Sequence, residues 1–185
     1  MEINNELNPS KKKSHGQLTA EIGKSLESEG YDVLYDHGVS SKTVGRIVSY
    51  FSDKNERGTQ LSYLDIAIVK KNTNQAVALI EIEETANRPK TIIGDIFAFL
   101  MGERVVFQGK ELEVGSSTTL IILGFSKLQH LKHNQYILEK VEKAKSALGT
   151  KNCEIGKVVI ETYSDKENLL SLLTSLLDQA LNGEL

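Results

Sequence analysis

Apolar positions along the chain follow two rhythms, one of about four residues and one of two, and the switches between them predict the order of elements. Leu18, Ile22 and Leu26 repeat every four residues. They follow Ser14 and Gln17 at capping-box spacing and precede Gly30, which predicts a first helix from residue 14. YDVLYD (31–36) alternates and predicts a strand, His37 to Thr43 a loop, RIVSYF (46–51) a second strand and 52–60 a polar turn region. YLDIAIV (63–69) and AVALIEIE (76–83), joined by the turn-forming KKNTNQ, predict an antiparallel hairpin. Pro89 suits a first helical turn. Ile92, Ile93, Ile96, Phe97, Phe99 and Leu100 carry that helix to Gly102. Residues 104–117 read as a short extended segment and a loop, and TTLIILGF (118–125) as a strand buried on both faces. A helix over 133–148, a strand over 157–163 and a helix over 166–181 capped by Asp165 complete the order. The pattern predicts an α/β domain, a mixed sheet flanked by helices, over 14–185 behind a flexible tail at 1–13.

Composition narrows the class. The 185 residues are 39% hydrophobic and 25% charged, as expected of a globular domain that buries a core. No apolar run approaches the roughly 20 residues that span a bilayer, and MEINNELNPSKKKS lacks the apolar centre of a secretory signal. No membrane partner and a cytoplasmic, intracellular setting are expected. A single cysteine, Cys153, excludes an internal disulfide and a cysteine-rich zinc site. The net charge of −3 argues against coating nucleic acid through bulk charge. The basic residues are nevertheless uneven: Lys11 to Lys13, Lys42, Arg46, Lys54, Arg57, Lys70, Lys71, Arg88 and Lys90 all fall in the first half.

The candidate chemistry lies in the hairpin. Glu81 and Glu83, two apart, share one face of their strand with Leu79. On the preceding strand Asp65 shares a face with Ala67 and Val69. If Val69 pairs with Val77, Asp65 lies opposite Glu81, and a shift of two residues makes them diagonal; either way three carboxylates converge, whereas a one-residue slip separates them. Like charges this close repel, and hard oxygen ligands suit Mg²⁺ or Mn²⁺, with the Ile82 backbone carbonyl as a further donor. The competing possibility is that these acids occupy the solvent face of an edge hairpin.

Asp65 in YLDIAIV and Glu81-Ile82-Glu83 in ALIEIE, between a preceding helix and a following helix and buried strand, resemble the PD-(D/E)XK nuclease superfamily over roughly residues 14–126. The resemblance implies a restriction-endonuclease-like fold and Mg²⁺-dependent hydrolysis of DNA phosphodiesters. Glu21, Asp65, Glu81 and the Ile82 carbonyl would be its metal ligands, and Asp65, Glu81, Glu83 and Lys90 its catalytic set. Leu64 stands where the family often has proline, and Glu83 replaces the usual lysine. Lys90 is then the candidate for the missing positive charge. Lys42, Arg46, Lys54 and Arg57 would contact phosphates of the DNA. A symmetric homodimer is expected for cutting two strands, with the leucine-rich last helix serving either as its interface or as core.

Other chemistries find less support. His15, His37, His130 and His133 form no two-histidine-plus-acid pattern, and GVSSKTVGR lacks the Gly-Lys-Ser/Thr ending of a phosphate loop. The alternatives to a nuclease are a catalytically inactive module of the same fold that binds DNA or protein, and a metal-dependent hydrolase of small phosphate esters.

Overall fold

The computed structural model describes residues 15–39, 41–54, 56–84, 89–125 and 134–185. The proposed tail, the Ser14 cap, Arg88, His130 and His133 lie outside them. The described chain is a mixed α/β fold with four helices and two sheets: α1 (His15–Ser28), β1 (Val33–Tyr35), β2 (Ile47–Tyr50), β3 (Gln60–Leu64), β4 (Ile66–Val69), β5 (Ala76–Glu83), α2 (Pro89–Leu100), β6 (Arg104–Phe107), β7 (Lys110–Leu112), β8 (Thr119–Phe125), α3 (Asn134–Leu148), β9 (Lys157–Tyr163) and α4 (Lys166–Leu181). The Asp165 side chain accepts from the Asn168 N–H and caps α4, as expected.

Five strands form the main sheet in the order β1-β4-β5-β8-β9. β1, β4 and β5 are antiparallel neighbours, whereas β5, β8 and β9 run parallel. A central parallel strand must bury both faces, which accounts for the unbroken apolar run of β8. On one face Ile66, Ile80, Ile82, Ile121 and Leu123 pack against Leu18, Ile22 and Leu26 of α1 and Leu169, Leu173, Leu176 and Leu177 of α4. On the other, Leu79, Leu120, Ile122, Val158 and Ile160 pack against Ile92, Ile96 and Phe99 of α2 and Ile137 and Val141 of α3. The leucines of α4 are therefore core. Of its large apolar side chains only Leu181, at 49% exposure, is strongly exposed.

The five-stranded sheet is the mixed sheet flanked by helices that the pattern predicts, and beside it four strands in the order β3-β2-β6-β7 form an antiparallel sheet that the pattern does not separate. The run read as one strand over 63–69 is two: β3 belongs to the small sheet and β4 to the large one, and the chain changes sheet at Asp65. The segment 104–117, expected to be a short extended stretch and a loop, contains the hairpin β6–β7. Its two-residue turn, Gln108-Gly109, has positive φ at both positions (47° and 79°), the condition of a type I′ turn.

Candidate acidic active site

The hairpin register is the one that sets Asp65 directly opposite Glu81. Ile66 pairs with Ile80, Ala67 with Leu79 and Ile68 with Ala78, so continuing one step brings Asp65 alongside Glu81. The ladder slips only at the turn end, where a bulge between Ile68 and Val69 pairs Val69 with Ala76 instead of Val77.

Asp65 is built in from several sides. It is 4% exposed. Its N–H donates to the Ile80 carbonyl at 3.2 Å, and its own carbonyl accepts from the Asp36 N–H at 2.8 Å. Its Oδ2 accepts from the Ile82 N–H at 2.8 Å, and its Oδ1 accepts from the Thr19 hydroxyl at 3.1 Å. Since β4 begins only at Ile66, the carboxylate takes the place of the next ladder carbonyl opposite Ile82. The N–H and C=O of a strand residue face the same neighbour, so the Ile82 carbonyl lies on the Asp65 edge, where the sequence places a ligand.

Glu81 and Glu83 alternate with buried Ile82 and lie on the Leu79 face, the side covered by α2. There they meet a fourth carboxylate, Asp95, which the sequence reading missed. Asp95 sits on α2 between Ile92 and Ile96, four residues before Phe99, and all three of these apolar residues are buried. It shares a hydrogen bond with Glu83, and its pKa rises to about 7: burial comes first, then the charge and hydrogen bond of Glu83, then the charge of Asp65. Glu81 is pushed well above the usual carboxylate range by burial first, then by Asp65, Asp95 and Glu83, against a smaller lowering from the Asp65 N–H. No lysine or arginine figures among these influences. Glu81 Oε2 and Asp95 Oδ2 are sealed from solvent without a hydrogen-bond partner. Tyr163, at the end of β9, turns a buried, unpartnered hydroxyl toward the same charges: burial, then Glu84, Asp65 and Glu83, raise its pKa.

The other expected residues divide. The α1 contact with Asp65 is made by Thr19, while Glu21 pairs with Lys166 of α4 at 2.8 Å and accepts from Gln17 at 3.3 Å. Lys90 is exposed in the first turn of α2. At five residues from Asp95 it lies roughly 140° around the helix from it. Arg46 precedes the Ile47–Leu64 pair of β2 and β3, so the register carries it toward Asp65, and its guanidinium lies 5.4 Å from the centre of the Tyr63 ring. Lys54 and Arg57 are exposed at the opposite end of β3, roughly 15–20 Å along the strand direction from Asp65. Lys42 is exposed beside a separate cavity that Lys110 and Gln108 also line.

In donor chemistry alone, though not in arrangement, the set suits a hard divalent cation. It consists of carboxylate oxygens and a backbone carbonyl, it contains orphaned buried oxygens, and its members repel one another. As the side chains stand, no group of three or more His, Cys, Asp or Glu among the described residues is arranged to hold one ion. The carboxylates thus share a site without converging on one point. Comparison of the chain with protein-family models, with curated proteins and with solved structures yields no match. Among the described residues no helix is long and apolar enough to cross a membrane.

Proposed function

We propose that this protein is a metal-dependent nuclease that hydrolyses DNA phosphodiester bonds at the Asp65–Glu81–Glu83–Asp95 cluster. The observation that carries this reading is the pair of sealed oxygens, Glu81 Oε2 and Asp95 Oδ2, which have no hydrogen-bond partner among the described residues and lie among carboxylates that raise one another's pKa. Buried carboxylates in this state cost stability unless something positive joins them. Asp65, Glu81 and Asp95, with the Ile82 carbonyl, are the residues that would hold Mg²⁺ or Mn²⁺. The ion would supply a Lewis acid for a phosphoryl oxygen and a lowered pKa for water.

The chain's own groups take the remaining roles. Asp65 is pinned by Thr19 and the Ile82 N–H and fixes the edge of the site. Asp95, raised to about 7 in the metal-free protein, would give up its proton as the cation binds and act as a ligand. Glu83 holds Asp95 through their shared hydrogen bond and takes the place of the lysine that the nuclease pattern carries. Lys90 belongs to this machinery only if the first turn of α2 rearranges, and Arg46 is the better placed cation. Action as a homodimer remains part of the proposal, with an interface other than the core leucines of α4.

The second reading, a catalytically silent nucleic-acid- or protein-binding relative, is favoured by the absence of a convergent three-ligand group among the described residues. Cleavage of supercoiled plasmid in Mg²⁺ or Mn²⁺ separates the two. The nuclease reading expects cutting by the native protein, abolished by EDTA and reduced about 10²-fold or more by Glu81→Gln, the scale of losing one transition-state contact. No cutting by the native protein in either metal, with cutting by Glu83→Lys, establishes the silent relative.

A further inference from the structure

Beside the acidic cluster lies a cleft of about 530 Å³ lined by Asp36, His37, Gly38, Val44, Gly45, Arg46 and Tyr63. That is the size of a small-molecule subsite. Two connections tie it to the cluster: the Asp36 N–H donates to the Asp65 carbonyl at 2.8 Å, and Tyr63 stands two residues before Asp65. We infer that this cleft receives one unpaired nucleotide, so that the substrate is single-stranded or locally melted nucleic acid. The inference rests on reading the acidic cluster as a phosphodiester site.

Three features point to a base and its phosphate. Tyr63, on the edge strand of the small sheet, is 45% exposed, and its hydroxyl is held by donating to Gln60 Oε1 at 2.7 Å. The ring is thus fixed and open, a platform on which any base can stack. Arg46 lies over that ring, and among the described residues no carboxylate pairs with it. A guanidinium so placed both extends the stacking surface and offers hydrogen bonds to phosphate. The floor is made for close approach. His37 holds a positive φ of 65°, its N–H donates to Asp36 Oδ1 at 2.7 Å, and its ring fills the space that a side chain at Gly16 would need. This corner therefore presents the Asp36 and His37 side chains beside Gly38 and Gly45, edge-reading groups on a backbone without bulk. Paired bases in a duplex cannot present a face to Tyr63, because both faces are stacked on their neighbours.

The test measures binding in EDTA, where cleavage cannot interfere, by fluorescence anisotropy with single-stranded DNA, single-stranded RNA and blunt duplex DNA oligonucleotides. Tyr63→Ala is expected to weaken single-strand binding about tenfold, within the range for one stacked base. Tyr63→Phe should keep native affinity, because it loses only the bond to Gln60, and duplex binding should change less than twofold in either variant. Retention of a native melting temperature by Tyr63→Ala assigns the loss to the cleft. Unchanged single-strand affinity in Tyr63→Ala, an equal loss for duplex, or no single-strand binding by the native protein overturns the inference. Plasmid cleavage run alongside keeps the two readings apart. Metal-dependent cutting with Tyr63 irrelevant to single strands leaves the nuclease and removes the cleft. Tyr63-dependent binding without cutting keeps the cleft and removes the nuclease.

Discussion

The two ends of β5 treat buried polar groups in opposite ways. At its start the Ala76 N–H donates to the Glu113 carbonyl at 2.9 Å, and the Ala76 carbonyl accepts from the buried Thr118 hydroxyl at 2.8 Å. That hydroxyl in turn accepts from the Gly115 N–H at 3.1 Å, and Gln75 donates to Ser117 at 2.9 Å. Neutral donors there meet neutral acceptors. At its finish, five to seven residues on, acids crowd acids: Glu81 and Glu83 face Asp95 beside Asp65, and sealed oxygens have no partner. One strand, held in one sheet, thus carries an end built for stability and an end built against it. The acids persist because the surrounding core, with Ile80, Ile82, Ile92 and Ile96 wholly or almost wholly buried, over-determines the backbone that holds them.

The sharpest way to break this contrast is Asp95→Asn. It removes a repelling charge but keeps shape and hydrogen bonding, so it should act in opposite directions on the two properties. Metal-dependent plasmid cleavage should fall about 10²-fold or more. The melting temperature of the metal-free protein at pH 8 should rise, since burial and Glu83 oppose the native charge. Parallel cleavage assays and thermal melts in EDTA check both. A fall in both would place Asp95 among the ordinary structural acids.

A smaller effect is expected at the other end. Thr118→Val leaves the Ala76 carbonyl and the Gly115 N–H without their buried partner. Stranding such groups costs about 1–3 kcal/mol. At about 2–4 °C per kcal/mol for a chain of this size, the melting temperature should drop by several degrees. Cleavage per folded molecule should stay native. A loss of activity out of proportion to stability would mean that the two ends of β5 are coupled.

How much of this was legible in the sequence follows from which residues obey a local period. The alternation Leu79, Glu81, Glu83 gives the face of the acids, and the pairing Ile66–Ile80 realises the register that sets Asp65 directly opposite Glu81. Asp95 escaped because it is held by tertiary contact. The available signal was a lone acid within an apolar helix, flanked by Ile92, Ile96 and Phe99 on the side that packs. Glu21 is expected at the site only because the resemblance places an acid on the first helix, whereas Thr19 lies three residues before Ile22 and seven before Leu26, on the buried stripe that faces Asp65. The small sheet stayed hidden because its strands are short and because Gln108 takes the left-handed position where asparagine is the usual mark. The break at Asp65 was hidden by an apolar run that continues smoothly through two sheets.

The pH dependence of stability gives the finest test of the same contrast. Asp95 moves from 3.8 to about 7 on folding, and Glu81 is raised in the same sense. The folded protein therefore holds protons that the unfolded chain releases. A raised folded pKa contributes stability that is complete below the unfolded value and is lost as pH rises through the folded one. Between pH 5 and pH 8 the metal-free protein should accordingly lose melting temperature, with the Asp95 contribution steepest at about pH 5–6, between its unfolded and folded values, and fading as pH passes through about 7. Asp95→Asn should flatten this slope without abolishing it, because Glu81 titrates in the same direction. Thr118→Val should lower the whole curve and leave its shape alone, since no ionisable group is involved. Millimolar Mg²⁺ should raise the native melting temperature more at pH 8 than at pH 5, because a cation competes with protons for the same oxygens. Melts in EDTA and in Mg²⁺ across that range check all four. A flat native curve in EDTA would show that the acid end of β5 costs the fold nothing, and the contrast between its two ends would fail.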